Sequence, residues 1–306
     1  MGLEFMPNGW LILDKPLGLS STQAMGRVKR LLGQRKAGYA GTLDPLASGV
    51  LPIALGQATR TIPFTESYDK TYAFTIRWGE ARSTDDAEGE VIARSDMRPS
   101  PEQIHAAMVQ FIGDIQQVPP IYSAIKQGGR PAYARARAGE DVQMVPRQVV
   151  IRRFEVKDIP DPDTACFEVD CSKGTYIRSL ARDLAIALGT CGYVAALRRL
   201  RCGIFGVETA IGLESLADLV HKERACSALL PLDSVLDDIL ALSVTEEQTQ
   251  CLRHGQPLMG VHAQGLPVGD EGQKALARGV AESPVALLEY RQGAWWPDRV
   301  FTHTDE

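Results

Sequence analysis

Residues 41–49 read GTLDPLASG, and the apolar run VLPIALG follows directly at residues 50–56. Asp44 is the only side chain between residues 38 and 56 that is charged at neutral pH. An Asp before Pro in a glycine-framed loop can be a turn former, because its side chain accepts hydrogen bonds from nearby backbone N–H groups. A lone carboxylate among apolar residues can also be a reactive group in a shielded site. The local sequence leaves both interpretations of Asp44 open.

The composition is that of a water-soluble globular protein. The chain has 306 residues, of which 44% are hydrophobic and 23% are charged, and this length suggests about two domains. No apolar run approaches the ~20 residues that a membrane-spanning helix needs. The N-terminal segment lacks the basic region of a secretory signal. We therefore expect a cytoplasmic protein without membrane association.

Cysteine and histidine usage gives no indication of a metal centre. The six cysteines form no CxxC pair, and the five histidines are scattered along the chain. This pattern predicts reduced thiols and no metal site. No motif of the form GxGxxG or GxxxxGK(S/T) is present, so a dinucleotide or nucleoside triphosphate site has no support.

The charges are unevenly distributed, although the formal net charge is only -5. Residues 27–36 hold five basic residues and no acid, residues 123–153 hold seven basic residues and two acids, and residues 172–203 hold six basic residues and one acid. Such clusters can form a basic face that attracts a polyanion, although each could also be an ordinary solvated face.

Hydrophobic periodicity predicts an α+β fold with a mixed, mostly antiparallel sheet. Strands are predicted at WLIL, VLPIALG, KTYAFTIRWG, VVIRRFEV, ACFEVDCSKG and YVAALRRLRCGIFGV. Cap and periodicity signals predict helices over residues 20–32, 100–113, 175–189, 213–223 and 225–236.

Two further segments differ in composition from the rest. Residues 117–148 have no convincing period, and such long irregular segments are usually functional or mobile. From about residue 242 the chain consists of short segments that are separated by Gly and Pro residues. We therefore predict a catalytic domain at residues 1–241, with a basic insertion at about 119–149, and a small β-rich domain at residues 242–306.

Four residues could accompany Asp44 in a site. Lys15 lies at a predicted strand end, Tyr72 begins the aromatic strand, and Tyr176 and Arg178 lie at a strand-to-helix junction. An Arg beside Asp44 would hold it charged, and a Tyr ring could stack on a planar ligand. Each also has a structural alternative, as a surface strand end, a core residue or a helix cap.

Four stretches together resemble the TruB family of tRNA pseudouridine synthases. They are DKPLGLSS, GTLDPLASGVLPIALGQATR, KTYAFTIRWG and SKGTYIRSLARDLAIALG, in the family's order and spacing, and the resemblance covers about residues 9–210. The segment from about residue 242 is similar to the PUA-type RNA-binding domain of bacterial members. The resemblance implies isomerisation of uridine to pseudouridine at position 55, in the T loop of tRNA. It implies no cofactor, no metal and no obligatory protein partner, and we expect a monomer.

The resemblance also implies roles for individual residues. Asp44 would be the nucleophile, attacking either C6 of the uracil or C1′ of the ribose, and Arg178 would pair with it. Tyr72 would stack on the flipped base and could help to move the C5 proton. Tyr176 and Leu197 would contact the base or ribose, and Lys15 with Pro16 would support the active-site loop. Basic residues of the insertion would grip RNA phosphates, namely Lys126, Arg130, Arg135, Arg137 and Arg147.

The sequence departs from the family at one position. Many bacterial members have a His where this chain has Tyr39, and that His is thought to displace the target base by stacking. A Tyr can also stack but is neutral at pH 7, so the role of Tyr39 in base flipping is open. Two other functions remain possible, a non-catalytic RNA-binding or RNA-folding protein and a guide-RNA-dependent relative that works in a ribonucleoprotein.

Overall fold

The computed structural model describes residues 8–123 and 125–301. These residues form eighteen strands in four sheets, of which the largest has ten strands and the second has four. The strands are β1 (Gly9–Lys15), β2 (Ala37–Tyr39), β3 (Ala47–Leu55), β4 (Lys70–Trp78), β5 (Glu80–Arg82), β6 (Val91–Arg94), β7 (Gly113–Gln117), β8 (Lys126–Gln127), β9 (Arg130–Pro131), β10 (Arg147–Asp161), β11 (Thr164–Cys171), β12 (Gly192–Cys202), β13 (Phe205–Gly206), β14 (Leu229–Leu230), β15 (Leu240–Ser243), β16 (Lys274–Arg278), β17 (Pro284–Arg291) and β18 (Ala294–Val300).

Two of the α-helices begin at the serine caps that the sequence predicts. Ser20 caps the first helix and Ser100 the second, each in a capping box with the Gln three residues later. The α-helices of the described residues are α1 (Ser21–Leu31), α2 (Pro101–Met108), α3 (Ala132–Arg137), α4 (Ile177–Ala187), α5 (Leu213–His221) and α6 (Glu246–Arg253).

The ten-stranded sheet runs in the order β14-β1-β3-β12-β4-β11-β10-β7, with β2 paired to β3 and β13 to β12. Its pairs are antiparallel except for β3 and β12, which run parallel. This arrangement confirms the predicted α+β class with a mixed, mostly antiparallel sheet. Strand β12 enters the middle of the sheet late in the sequence, between β3 and β4. Asp44 lies just before β3, and Tyr72 lies on β4.

The main core lies where α4 packs against the ten-stranded sheet. Tyr72, Phe74, Ile76 and Trp78 alternate along β4 and are buried, as the two-residue period predicts. Helix α4 contributes a buried apolar face that includes Leu180 and Leu184. This packing fixes the first turn of α4 against the sheet, and that turn carries Arg178.

The four-stranded sheet has the order β15-β16-β17-β18 and its own apolar cluster with α6. The predicted β-rich character of the C-terminal segment is thereby confirmed for the described residues. Leu276, Leu287 and Phe301 from this region also pack in a cluster with Trp10 and Ile12 of β1. The domain boundary at about residue 242 stays a prediction.

Two predicted elements differ from the structure. The helix predicted over residues 225–236 was wrong: a short 3-10 turn, Ala225–Ala228, leads into β14, which pairs with Trp10 and Leu11 of β1. Pro231 follows directly and has no N–H for a helical hydrogen bond. The basic insertion, predicted to lack periodic structure, contains the short strands β8 and β9 and the six-residue helix α3.

Candidate active site

The loop at residues 41–49 is anchored at several points by its backbone. The N–H of Leu43 donates to Ser21 Oγ at 2.8 Å, and Ser21 Oγ donates to the Leu43 carbonyl at 3.0 Å. The N–H of Gly18 donates to the Pro45 carbonyl at 2.9 Å. Leu43 is buried, whereas the Asp44 side chain keeps 39% of its surface exposed. The loop therefore buries its apolar residues and leaves the carboxylate at the surface of a cavity.

Arg199 on β12 closes this loop from the other side. Its buried guanidinium donates to the Val50 carbonyl at 2.7 Å and to the Gly41 carbonyl at 2.9 Å. At Gly49 a β-carbon would lie 2.2 Å from the Arg199 carbonyl oxygen, and the backbone φ there is +98°. Only glycine fits that approach and that conformation. Both glycines that frame the motif are thus held against one arginine.

Arg178 links Asp44 to a second carboxylate. Its Nη2 lies 2.8 Å from Asp44 Oδ2, and its Nη1 lies 3.5 Å from Asp86 Oδ2. The guanidinium also donates to the carbonyls of Thr84 and Tyr122, each at 3.0 Å. The side chains of Arg178 and Asp86 are only 6% and 4% exposed. A buried cation between two carboxylates and two carbonyls has a fixed orientation, and so does the carboxylate it faces.

Tyr72 lies deep in the same cavity. Burial raises the pKa of its phenol to about 12, and the Arg199 guanidinium, which donates to the phenol oxygen, opposes this shift. Tyr72 is therefore a neutral phenol at pH 7, next to a cation that would stabilise a phenolate. Burial also raises the pKa of Tyr176. The backbone N–H of Tyr176 donates to Gln117 Oε1 at 2.7 Å, which fixes the junction just before α4.

These side chains surround one cavity of about 470 Å³, a size typical of small-molecule and nucleotide sites. Six residues proposed from the sequence line it, namely Tyr39, Asp44, Tyr72, Tyr176, Arg178 and Leu197. The carboxylate and the arginine thus share a wall of the cavity with three aromatic rings, which could contact a planar base.

Lys15 is not brought to the cavity. It is fully buried, and its ammonium donates to the carbonyls of Pro16 at 2.9 Å and Leu19 at 2.6 Å. Burial lowers its pKa to about 8, while nearby Asp44 opposes that shift. Lys15 therefore holds the turn at residues 16–19 and does not line the cavity.

The basic residues of the insertion are not equally available. Arg130 and Arg135 each pair with Glu140 at 2.7 Å. The Arg137 guanidinium carbon lies 5.9 Å from the centre of the Tyr133 ring. Arg147 is exposed at the start of β10, and the side chain of Lys126 lies outside the described part of the structure.

Sequence reasoning missed Asp86 and Arg199 as parts of the site. Asp86 lies in the acidic stretch STDDAEGE at residues 83–90, and Arg199 belongs to the basic cluster at residues 172–203. Their burial was the missing signal, since charged residues are rarely fully buried without a partner. No group of three or more metal-ligand side chains occurs among the described residues, and no described helix is long and apolar enough to cross a membrane.

Comparison with known proteins identifies the family. Residues 29–177 match the N-terminal domain of the TruB family of pseudouridylate synthases, and residues 178–237 match the C-terminal domain described for tRNA pseudouridylate synthase B. The chain belongs to the TruB family. Family membership makes it an isomerase, a pseudouridine synthase, and confirms the resemblance seen in the four motifs.

Curated relatives match this chain over nearly its whole length. The tRNA pseudouridine synthase B of Caulobacter sp. (strain K31) is 47% identical, with 97% of each chain covered. That of Caulobacter vibrioides is 48% identical, again over 97% of each chain. That of Bradyrhizobium diazoefficiens is 47% identical over 97% of this chain and 86% of the relative.

Solved structures show the same architecture. A chain from a crystal structure of a Cbf5-Nop10-Gar1 complex superposes with a TM-score of 0.71, at 26% identity, over 97% of this chain and 86% of that one. A chain from a ribonucleoprotein bound to a substrate RNA containing 2′-deoxyuridine gives a TM-score of 0.70, at 25% identity, over 97% and 86%. The fold of this TruB family member is thus shared along almost the whole chain.

Proposed function

We propose that this synthase converts uridine to pseudouridine at position 55, in the T loop of tRNA, with Asp44 as the nucleophile. Its curated relatives are named tRNA pseudouridine synthase B, which supports tRNA as the substrate. The observation that carries the proposal is the ion pair of Asp44 with buried Arg178 in a cavity that also contains Tyr72. The T loop, position 55 and the aspartate nucleophile are the proposed parts.

The reaction keeps every atom of the nucleotide. The Asp44 carboxylate attacks either C6 of the uracil or C1′ of the ribose, and the glycosidic bond between N1 and C1′ breaks. The uracil turns within the cavity and forms a new bond from C5 to C1′, and the bond to Asp44 breaks, which restores the free carboxylate. The C5 proton then leaves and N1 gains a proton, so the sum is an isomerisation without redox change. A closed cavity is needed because the detached base must not escape.

Arg178 orients the nucleophile in this scheme. It faces one oxygen of Asp44 at 2.8 Å, and its remaining contacts to Asp86, Thr84 and Tyr122 prevent it from turning away. Holding a reactive group in one geometry lowers the barrier because the orientation is fixed before the reaction. Asp86 acts on the nucleophile only through Arg178 and is therefore a positioning residue.

The aromatic side chains would receive the flipped base. Extruding a nucleotide costs a few kcal/mol, which stacking and hydrogen bonds in the pocket offset. Tyr72 would stack on the uracil and could help to move the C5 proton. Its phenol would give a proton to N1, Arg199 would stabilise the phenolate, and the phenolate would then take the proton from C5. Tyr39 would fill the position vacated in the RNA loop, and Tyr176 and Leu197 would enclose the base. Leu197 is almost fully buried where β12 meets β3.

Residues 1–241 would form the catalytic domain under this proposal, and residues 242–306 a PUA-like domain that binds RNA. The family's C-terminal match at residues 178–237 falls inside the proposed catalytic domain. We further propose that the synthase acts as a monomer in the cytoplasm without a protein partner. Some structural relatives were solved in complexes with other molecules. The alternative is therefore an enzyme that depends on a guide RNA and partner proteins, and such an enzyme would be inactive alone.

The test uses the isolated protein and an unmodified tRNA transcript with tritium at C5 of its uridines. Wild type should release tritium, and a transcript with cytidine at position 55 should release none. Asp44→Asn should abolish release while tRNA affinity is largely kept, because phosphate contacts supply most of the affinity. Asp163→Asn is the control, because Asp163 also pairs with an arginine, Arg98, at another place on the surface.

Each outcome bears on a different part of the proposal. Release of tritium from the cytidine-55 transcript would show that the enzyme acts on a uridine at another position. An Asp44→Asn variant with even a tenth of the wild-type rate would remove Asp44 as the nucleophile. A wild-type protein that binds tRNA but releases no tritium would favour the RNA-binding or guide-dependent alternatives.

A further inference from the structure

Helix α1 and the turn after it carry a basic surface that the catalytic cavity does not use. This surface, the α1 basic face, consists of Arg27, Lys29, Arg30, Arg35 and Lys36. Arg27 and Arg30 are three residues apart and are neighbours on the helix surface, whereas Lys29 points to another side. All five side chains reach the surface, and only Lys29 is partly covered. The segment contains no acid between its first and last member.

The charges of the α1 basic face are uncompensated. Across residues 8–123 and 125–301, none of its five side chains forms an ion pair or a hydrogen bond. Arginines in the other basic clusters do have partners. Arg130 and Arg135 share Glu140, and Arg153 contacts three carboxylates. A group of five unpaired cations repels itself, so the surface is suited to an anionic partner.

Helix stability accounts for only part of this surface. Lys29 and Arg30 lie in the last turn of α1, where cations interact favourably with the helix dipole. Arg27 lies before that turn, and Arg35 and Lys36 lie beyond the helix. The dipole therefore explains two of the five cations, and the other three have no role in holding the helix.

The α1 basic face begins beside the catalytic cavity. Thr22 Oγ1 in the first turn of α1 lies 3.3 Å from the hydroxyl of Tyr39, which lines the cavity. Arg27 and Arg30 follow Thr22 by five and eight residues, which places them about 8 and 12 Å farther along the helix axis. Lys36 directly precedes β2, the strand that ends at Tyr39. These distances correspond to a few nucleotides of RNA backbone.

We propose that the α1 basic face binds phosphate groups of the RNA strand beside the nucleotide that enters the cavity. The proposal rests on the proposed function, because it takes the cavity as the place where that nucleotide binds. A protein with a net charge of -5 repels RNA at long range. Local cations must therefore provide the attraction, and at physiological salt they act over about 8 Å.

The experiment measures the affinity for an unmodified tRNA transcript across a series of salt concentrations. Arg27→Ala with Arg30→Ala removes two charges from an exposed helix face, and Ala favours the helical state. The slope of log affinity against log salt should flatten by roughly 1.5, since each phosphate contact contributes about 0.7–0.9. Arg27→Lys with Arg30→Lys keeps both charges and should restore most of the slope.

The control removes two exposed charges elsewhere. Arg94→Ala with Lys157→Ala changes the net charge equally, and both residues pair with a neighbouring carboxylate. The control should keep the wild-type slope. A wild-type slope in Arg27→Ala with Arg30→Ala would overturn the proposal, and so would equal flattening in the control. Tritium release by the wild type is measured separately. If it is absent while the Arg27 and Arg30 effect persists, the proposed function fails and the α1 basic face stands.

Discussion

At the level of single side chains, most contacts of the site converge on Arg178. It faces Asp44 and Asp86 and donates to two backbone carbonyls from an almost fully buried position. This geometry needs a planar group with several N–H donors in fixed directions, which an arginine has and a lysine lacks. The residue thus matters for its shape as well as for its charge.

Replacing Arg178 by Lys separates these two properties. Arg178→Lys keeps one positive charge but cannot contact all four partners, so we expect a large fall in the catalytic rate. The tRNA affinity should change little, because the almost fully buried side chain offers little surface to a phosphate. Single-turnover rates and equilibrium binding measure the two effects. Arg182→Lys, one turn farther along α4, is the matched control. Weak binding with normal turnover would instead mean that Arg178 contacts phosphate.

Two substitutions of Tyr72 distinguish the contribution of its ring from that of its hydroxyl. Tyr72→Phe keeps the stacking surface and removes the group whose pKa burial raises to about 12. If the hydroxyl helps to move the C5 proton, tritium release should slow strongly while tRNA affinity is unchanged. Tyr72→Leu is the comparison, because it removes the ring as well. A fully active Tyr72→Phe would show that stacking is the whole contribution of this residue.

The residues of the site differ in how far the sequence could predict them. Asp44, Tyr72 and Arg178 lie in motifs that resemble those of the TruB family, and the structure brings them to one cavity. Asp86 and Arg199 depend on contacts across long stretches of chain. Arg199, for example, is 158 residues from the Gly41 carbonyl it binds. Local patterns carry no information on such contacts, so burial of these charges could not be foreseen.

At the level of elements, ion pairs within the basic insertion already neutralise part of its positive charge. Glu140 holds Arg130 and Arg135, so these arginines would have to exchange a carboxylate for phosphates when RNA binds. Exposed ion pairs contribute little to stability because solvent screens them, so these arginines can exchange partners readily. The insertion can therefore be compact without RNA and still grip it.

Changing Arg130, Arg135 and Arg137 together to Ala should weaken tRNA binding. The slope of log affinity against log salt should flatten by up to about 2–3 units. Glu140→Gln should have the opposite effect on affinity, because it releases two arginines without changing the shape of their partner. Affinities across a range of salt concentrations measure both variants. Parallel salt curves for wild type and the triple variant would show that the three arginines are solvated bystanders.

The predicted helix at residues 225–236 shows why some elements escape sequence reasoning. Leu229 and Leu230 follow Ala and Ser residues whose local sequence weakly favours a helix. In the structure they pair instead with Trp10 and Leu11 at the edge of the large sheet. The partner strand lies more than two hundred residues earlier, and packing against it outweighs a weak local preference. Strands with a clear two-residue period, such as β4, were predicted correctly because burial on one face determines the pattern.

At the level of the whole molecule, the two large sheets share apolar contacts. Phe301 is 3% exposed and belongs to the cluster that contains Trp10 of β1. Arg278 of β16 also pairs with Asp233 at 2.8 Å. These contacts indicate that the C-terminal sheet is stabilised by the rest of the chain.

Phe301→Ala tests this dependence by calorimetry. Removing a buried Phe side chain typically costs about 3–5 kcal/mol. If the sheets unfold together, the variant should show one thermal transition with a lower midpoint than wild type. Val261→Ala, an exposed position in the same C-terminal region, is the control and should leave the midpoint unchanged. Two separate transitions, with only one shifted by Phe301→Ala, would mean that the sheets unfold independently.

The late entry of β12 into the sheet has a consequence for biosynthesis. Its residues lie between β3 and β4, which leave the ribosome more than a hundred residues earlier. Until β12 emerges, both older strands have an unpaired inner edge, and such edges attract other chains. The Asp44 loop also lacks Arg199, its brace, for the same interval. A ribosome that stalls before residue 192 would therefore hold an incomplete chain that is prone to aggregate and catalytically inactive.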